Sequence, residues 1–108
     1  MPVADTFKAL GDPVRLEMIK RLVDGSQQTV GGLFDGLDLT RQGARKHLQV
    51  LADANLVQLH VKGRQTEVSL DLNSLAAAKS FITSLEMQWD KRLNALRKYV
   101  EANTGSAD

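Results

Sequence analysis

LTRQGARKHLQVLADANL, residues 39–56, decides how this chain is built. Thr40 suits a helix N-cap, where its hydroxyl can accept from a backbone N–H two or three residues on, and Leu39 before it can staple against Ala44. Successive residues of the helix turn by about 100°, which puts Ala44, Leu48, Leu51 and Asn55 on one side and Gln42, Arg45, Lys46, Gln49 and Asp53 on the other. One face is apolar and packs. The opposite face is polar, and basic near its start.

Upstream, Val3, Phe7 and Leu10 follow at i, i+4 and i+7, a short helix that Gly11 ends. Asp12 then caps a second helix with Pro13 at its first position, where the missing N–H costs nothing, and Leu16, Ile19, Leu22 and Val23 form its buried stripe as far as Gly25. Thr29 caps a short third helix through Val30, Leu33 and Phe34, and Asp35-Gly36 turns the chain. Gly31 and Gly32 each cost that helix about 1 kcal/mol relative to Ala. Close packing against a neighbouring helix accounts for them better than backbone N–H contacts to a phosphate, although both readings stand.

Downstream, Val57, Leu59 and Val61 alternate with Gln58, His60 and Lys62, and Thr66, Val68 and Leu70 alternate with Gln65, Glu67 and Ser69. Two period-two runs around Lys62-Gly63-Arg64 predict an antiparallel hairpin whose apolar face lies on the helices. From Asp71 onward Leu75, Ala78, Ile82, Leu85, Trp89, Leu93, Leu96 and Val100 recur at steps of three and four. A helix over about 72–102 would be roughly 45 Å long, against a radius of gyration of about 13 Å for a compact domain of this size. Its stripe needs another surface, and the same helix of a second copy is the simplest. The expected homodimer interface is Leu85, Trp89, Leu93 and Leu96, with Phe7 of the first helix. NTGSAD, residues 103–108, reads as a polar tail.

At 108 residues with 43% apolar content the chain is one domain, residues 1–102 including the long helix. No run is apolar enough to span a membrane, and the first residues lack a signal pattern, so the expected location is the cytoplasm. There is no cysteine, which removes disulfides and thiolate metal sites. The net charge of +1 is uninformative by itself, but residues 1–39 carry −2, residues 40–67 carry +3 and the remainder balances. The positive excess sits in the capped helix and the hairpin. A helix that projects Arg, Gln and Lys from its first two turns suits the DNA major groove, where those side chains reach base edges and phosphates. For Arg45 the plain alternative is a solvated charge on a surface helix.

The element order describes a mainly α fold with a two-stranded β-hairpin, a winged helix-turn-helix with a long C-terminal dimerisation helix. Ala9-Leu10-Gly11-Asp12-Pro13 with Arg15, Lys46-His47-Leu48 with Leu51, and Asn55-Leu56-Val57 leading to Lys62-Gly63-Arg64 resemble the ArsR/SmtB family of small bacterial transcriptional repressors. The resemblance covers residues 7–71, and Trp89, Arg92, Leu93, Leu96 and Tyr99 are similar to a metal-independent branch. It implies that Thr40, Arg41, Gln42, Arg45 and Lys46 face the major groove while Lys62 and Arg64 touch phosphate or the minor groove. Arg41, Gln42 and Arg45 are then the base readers, and Thr40, Lys46, Lys62 and Arg64 the phosphate contacts. The helical wheel reaches Gln42, Arg45 and Lys46 without the family.

Metal-sensing members commonly use a cysteine pair on the first helix of the helix-turn-helix, or acidic and histidine residues on the terminal helix. Here residues 29–35 and the terminal helix hold neither Cys nor His, and His47 and His60 alone do not make the three or four converging donors of a zinc site. No metal or other cofactor is expected, and the sequence identifies no effector. Nothing has the pattern of a nucleophile with its base or of a phosphate-cradling loop, which argues against an enzyme. The expected partner is double-stranded DNA, bound by a homodimer. The near-neutral charge leaves a second reading, a winged helix that binds only protein.

Overall fold

The computed structural model describes residues 3–25 and 27–105. The backbone forms an amino-terminal unit that ends at Ala78 and a second unit that starts at Lys79. In order the elements are α1 (Val3–Leu10), α2 (Pro13–Asp24), β1 (Gln27–Thr29), α3 (Val30–Phe34), α4 (Arg41–Asp53), β2 (Val57–Lys62), β3 (Gln65–Leu70) and α5 (Leu72–Gly105).

Side-chain caps start α2, α3 and α4 where the sequence places them. The Asp12 carboxylate accepts from the N–H groups of Val14 at 2.8 Å and Arg15 at 3.2 Å, with Pro13 opening α2. Thr29 Oγ1 accepts from Gly32 N at 3.2 Å, and Thr40 Oγ1 from Gly43 N at 3.0 Å. In both cases the glycine sits under the capping hydroxyl. A Cβ at Gly43 would lie 3.1 Å from Thr40 Oγ1, and one at Gly32 3.2 Å from Thr29 Oγ1. A Cβ at Gly31 would meet nothing within 4 Å. Close helix packing therefore does not explain Gly31 and Gly32, which are both exposed.

The end of α4 departs from the helical wheel. Asn55 adopts φ 58° and is exposed, so it stops the helix rather than extending its packed face. Leu56 N donates to Leu51 O and Asn55 N to Ala52 O, both at 3.0 Å, a Schellman closure in which asparagine takes the left-handed position. Leu51 and Leu56, which accompany that closure, are fully buried.

The sheet has three antiparallel strands in the order β1-β3-β2, one more than the hairpin read from the sequence. Lys62 pairs with Gln65 at the hairpin end, and Gly63 at φ 61° takes the first loop position, as a two-residue II′ turn requires. β1 pairs Gln28 with Val68 and Thr29 with Glu67. Three residues are too few to show a periodicity, so only the pairing with β3 reveals this strand. The hairpin's apolar face is covered at its base, where Val57 and Val68 are buried, but Leu59 and Val61 are exposed toward the tip.

The core joins Ala9 of α1, Met18, Ile19 and Leu22 of α2, Leu33 of α3, Leu48 and Leu51 of α4, Ala54, Leu56, and the strand residues Val57 and Val68. On α2 the buried stripe is centred on Met18, Ile19 and Leu22, whereas Leu16 and Val23, expected inside, are exposed. Arg21 ties α2 to the end of α3, with Nη1 donating to Leu33 O at 3.0 Å and to Asp35 O at 2.6 Å. At the start of α5, Asp71 Oδ1 accepts from Asn73 N, and Leu75 and Ala78 pack as part of the first unit.

In the second unit every residue from Lys79 to Thr104 is exposed, including Phe81, Ile82, Leu85, Trp89, Leu93, Leu96 and Val100. The helix runs to Gly105, into the segment expected as a tail, and residues 106–108 lie outside the described residues. Among the described residues no helix is long and apolar enough to cross a membrane.

Candidate nucleic-acid interface

α4 presents its polar face because Ala44, Leu48 and Leu51 anchor the opposite one in the core. With its register fixed by the Thr40 cap and the Leu56–Leu51 closure, the side chains of Arg41, Gln42, Arg45, Lys46 and Gln49 fan across the exposed arc. Gln42 and Lys46 lie nearly opposite the buried stripe, on the outermost ridge. Arg41, Arg45 and Gln49 turn toward the hairpin.

Between α4 and the hairpin lies a groove of about 740 Å³. Arg41, Arg45 and Gln49 form one wall, and Leu59, Arg64, Gln65 and Thr66 the other. Val30, Phe34, Ala44 and Leu48 line it with apolar surface, and Thr29 and the capping Thr40 border it. The structure thus brings Thr40, Arg41, Arg45 and Arg64 together around one groove. Gln42 and Lys46 belong to the neighbouring ridge. Lys62 stands apart, with Nζ 3.3 Å from Glu67 Oε2 on the hairpin. That carboxylate oxygen is buried and accepts no hydrogen bond among the described residues, so the pairing is an ion pair without good hydrogen-bond direction. The Lys62 side chain remains 66% exposed, free to swing outward.

The cations of the first unit divide by what they touch. Arg15 and Arg21 donate to backbone carbonyls, Lys20 pairs with Glu17, and Lys62 with Glu67. Arg41, Arg45, Lys46 and Arg64 have no side-chain hydrogen bond or ion pair among the described residues, and Lys8 is the one other such cation of this unit. A cluster of solvated, uncompensated guanidinium groups around a groove attracts a polyanion, because nothing in the protein has to be given up when phosphate replaces water.

Three groove residues carried no recognisable sequence signal: Leu59, Gln65 and Thr66 appear in the alternating pattern simply as strand positions. Another arrangement, invisible to spacing, surrounds His47. Arg15 Nη1 lies 3.1 Å from His47 Nδ1, and Asp12 Oδ1 lies 4.0 Å from the same nitrogen. Partial desolvation pushes the Asp12 carboxyl up, but the N–H groups of Arg15 and Val14, helped by the charges of Arg15 and His47, outweigh it and hold the carboxyl below its ordinary value. Arg15 was part of the family-like motif, yet nothing in the sequence joined it to a residue 32 positions away.

Known proteins share both the sequence and the architecture. A family model described as a helix-turn-helix domain matches residues 10–60. The transcriptional repressor SdpR of Bacillus subtilis (strain 168) is 28% identical over 71 residues, 66% of this chain and 78% of that protein. A solved structure described as a possible transcriptional regulator for arsenical resistance is 30% identical, with a TM-score of 0.70 over 84% of this chain and 94% of that one. An ArsR-like transcriptional regulator from Rhodococcus sp. RHA1 is 28% identical, with a TM-score of 0.76 over 89% of this chain and 90% of that one.

Proposed function

Because the chain belongs to the ArsR family of winged helix-turn-helix transcriptional regulators, we propose that it represses transcription as a homodimer bound to an inverted repeat in double-stranded DNA. The observation that carries this reading is the set of cations without a protein partner among the described residues, Arg41, Arg45, Lys46 and Arg64, on α4 and the hairpin beside one groove. In this reading α4 enters the major groove with Arg41, Gln42 and Arg45 toward base edges. Thr40, Lys46 and Arg64 meet phosphates, joined by Lys62 once it leaves Glu67.

The exposed apolar stripe of α5 supports the homodimer. Leu85, Trp89, Leu93 and Leu96 are 46–59% exposed, and burying such a stripe against its own copy is the economical way to remove it from water. Phe7 is half-buried in the first unit, and its place at the interface rests on the same expectation. A two-fold axis would set the two α4 helices into successive major grooves with half-site centres about 10 bp apart, or a multiple of that. No cofactor or catalytic role is assigned.

Selection of bound duplexes from a random pool tests the proposal. Enrichment of a palindrome with that spacing is the expected result. A folded protein that enriches no sequence would instead favour a winged helix dedicated to protein partners.

A further inference from the structure

Arg15 holds three elements with one side chain. Its Nε donates to Ala9 O, and Nη2 donates to Lys8 O at 3.4 Å, so it closes the end of α1. Its Nη1 reaches His47 Nδ1 at 3.1 Å, in the second turn of α4, next to Lys46 and two residues from Arg45. A guanidinium only donates. His47 Nδ1 must therefore accept, which puts the ring proton on Nε2 and keeps the imidazole neutral in this arrangement. Asp12, fixed by its bonds to the first turn of α2, waits 4.0 Å from the same nitrogen.

We propose that Arg15 is a positioning residue for DNA reading, acting through His47, and that protonation of His47 passes its Nδ1 from Arg15 to Asp12 and re-seats α4. The exchange balances: the added proton on Nδ1 abolishes the acceptor that Arg15 used and creates a donor, and the carboxylate is the nearby acceptor for it. Like charge between imidazolium and guanidinium drives the two apart. Imidazole is the side chain whose charge ordinarily changes between pH 5 and 8. The charged groups around His47 are few. α2 supplies Asp12 and Arg15, the last turn of α1 carries Lys8, and α4 itself carries Lys46 beside the ring. β2, which also packs on α4, carries His60, 3.3 Å from Ser69 Oγ, and Lys62, paired with Glu67.

This inference rests on the DNA-binding reading, and the test keeps the two apart. His47 and His60 are the only histidines. Operator affinity is measured from about pH 5.5 to 7.5 for the full chain, His47→Asn and His60→Asn, with far-UV circular dichroism at each pH. Asparagine offers Arg15 an acceptor near the Nδ1 position that does not titrate; His47→Gln serves if that variant does not fold. We expect wild type and His60→Asn to bind roughly five- to tenfold more weakly at the acid end, about what one typical intramolecular hydrogen bond contributes, while His47→Asn stays flat. Parallel profiles for all three proteins would overturn the proposal. So would a His47-dependent rise in affinity on acidification, which would make His47 a direct phosphate contact. Nitrogen-15 spectra of the imidazoles at neutral pH supply a readout that needs no DNA: His47 must carry its proton on Nε2, and an Nδ1–H tautomer refutes the bond to Arg15. The expected tautomer in a protein that binds no DNA would fail the DNA-binding reading, and with it the positioning role, while leaving the bond in place.

Discussion

Arg41 and Arg45 stand one helical turn apart on α4, both facing the groove and both without a protein partner among the described residues. Such groups contribute little to stability, so their loss should appear in binding alone. Arg45→Ala is expected to weaken operator binding by about 1–3 kcal/mol while leaving the oligomeric state and melting temperature unchanged; a titration showing wild-type affinity would remove Arg45 from the base-reading set. Arg64 lies across the groove on the hairpin turn. If it meets phosphate, Arg64→Ala weakens binding evenly across sequences, and the slope of log affinity against log salt becomes shallower by about one ion. An unaltered slope would detach the hairpin tip from the DNA backbone. The wheel made Arg45 legible from sequence, since a single helix face needs only the 100° step, whereas Arg41 entered through the family resemblance. Arg15 and His47 were not legible in that way, because a contact between residues 32 positions apart exists only after α1, α2 and α4 pack.

At the scale of elements, α2, α3 and α4 begin where a local side chain dictates. Asp12 and Thr40 lie before their helices in sequence and cap them through bonds spanning two or three residues, so no tertiary information was needed. The Asp12 cap carries a pH signature. Its carboxyl is held below the ordinary 3.8, so the folded state favours the charged form. Its contribution is present in full above that value and is lost as pH falls through the lower native one. The melting-temperature gap between wild type and Asp12→Ala should therefore be largest near neutral pH and close under strong acid. A gap that is constant with pH would mean that the carboxylate charge does not act there. The short strand β1 and the left-handed Asn55 escaped the pattern for opposite reasons. β1 owes its existence to the neighbouring β3, and Asn55 is a polar residue at a helical spacing whose backbone breaks the helix.

At the scale of the whole molecule, the stripe from Leu75 to Val100 was plain in the sequence, and the structure divides it. Leu75 and Ala78 pack in the first unit, whereas the residues beyond are exposed in the chain alone. The proposed homodimer covers that second part. Leu93→Glu places a charge in the middle of the stripe, where burial without a partner would cost several kcal/mol. Sedimentation equilibrium at micromolar concentration is expected to give a dimer for wild type and a monomer for the variant. A wild-type monomer under those conditions would refute the dimer, and with it the paired reading of an inverted repeat. In the proposed homodimer the local charge of +3 between residues 40 and 67 would be presented twice, so a near-neutral chain would offer two basic faces.

The sequence alone determined the succession of helices and hairpin, the caps of α2, α3 and α4, the hairpin turn at Gly63 and the polar face of α4, because each depends on neighbours within a few residues. Tertiary structure decided which side of α2 is buried, added β1 to the sheet and opened a groove between α4 and the hairpin. It also set Arg15 against His47. These features depend on where separate elements come to rest, and no periodicity within one segment encodes the distance to another. The stretch from residue 39 to 56 belongs to both classes: its helix is local, but the position of that helix is fixed by the core beneath Leu48 and Leu51 and by the guanidinium that reaches it from α2.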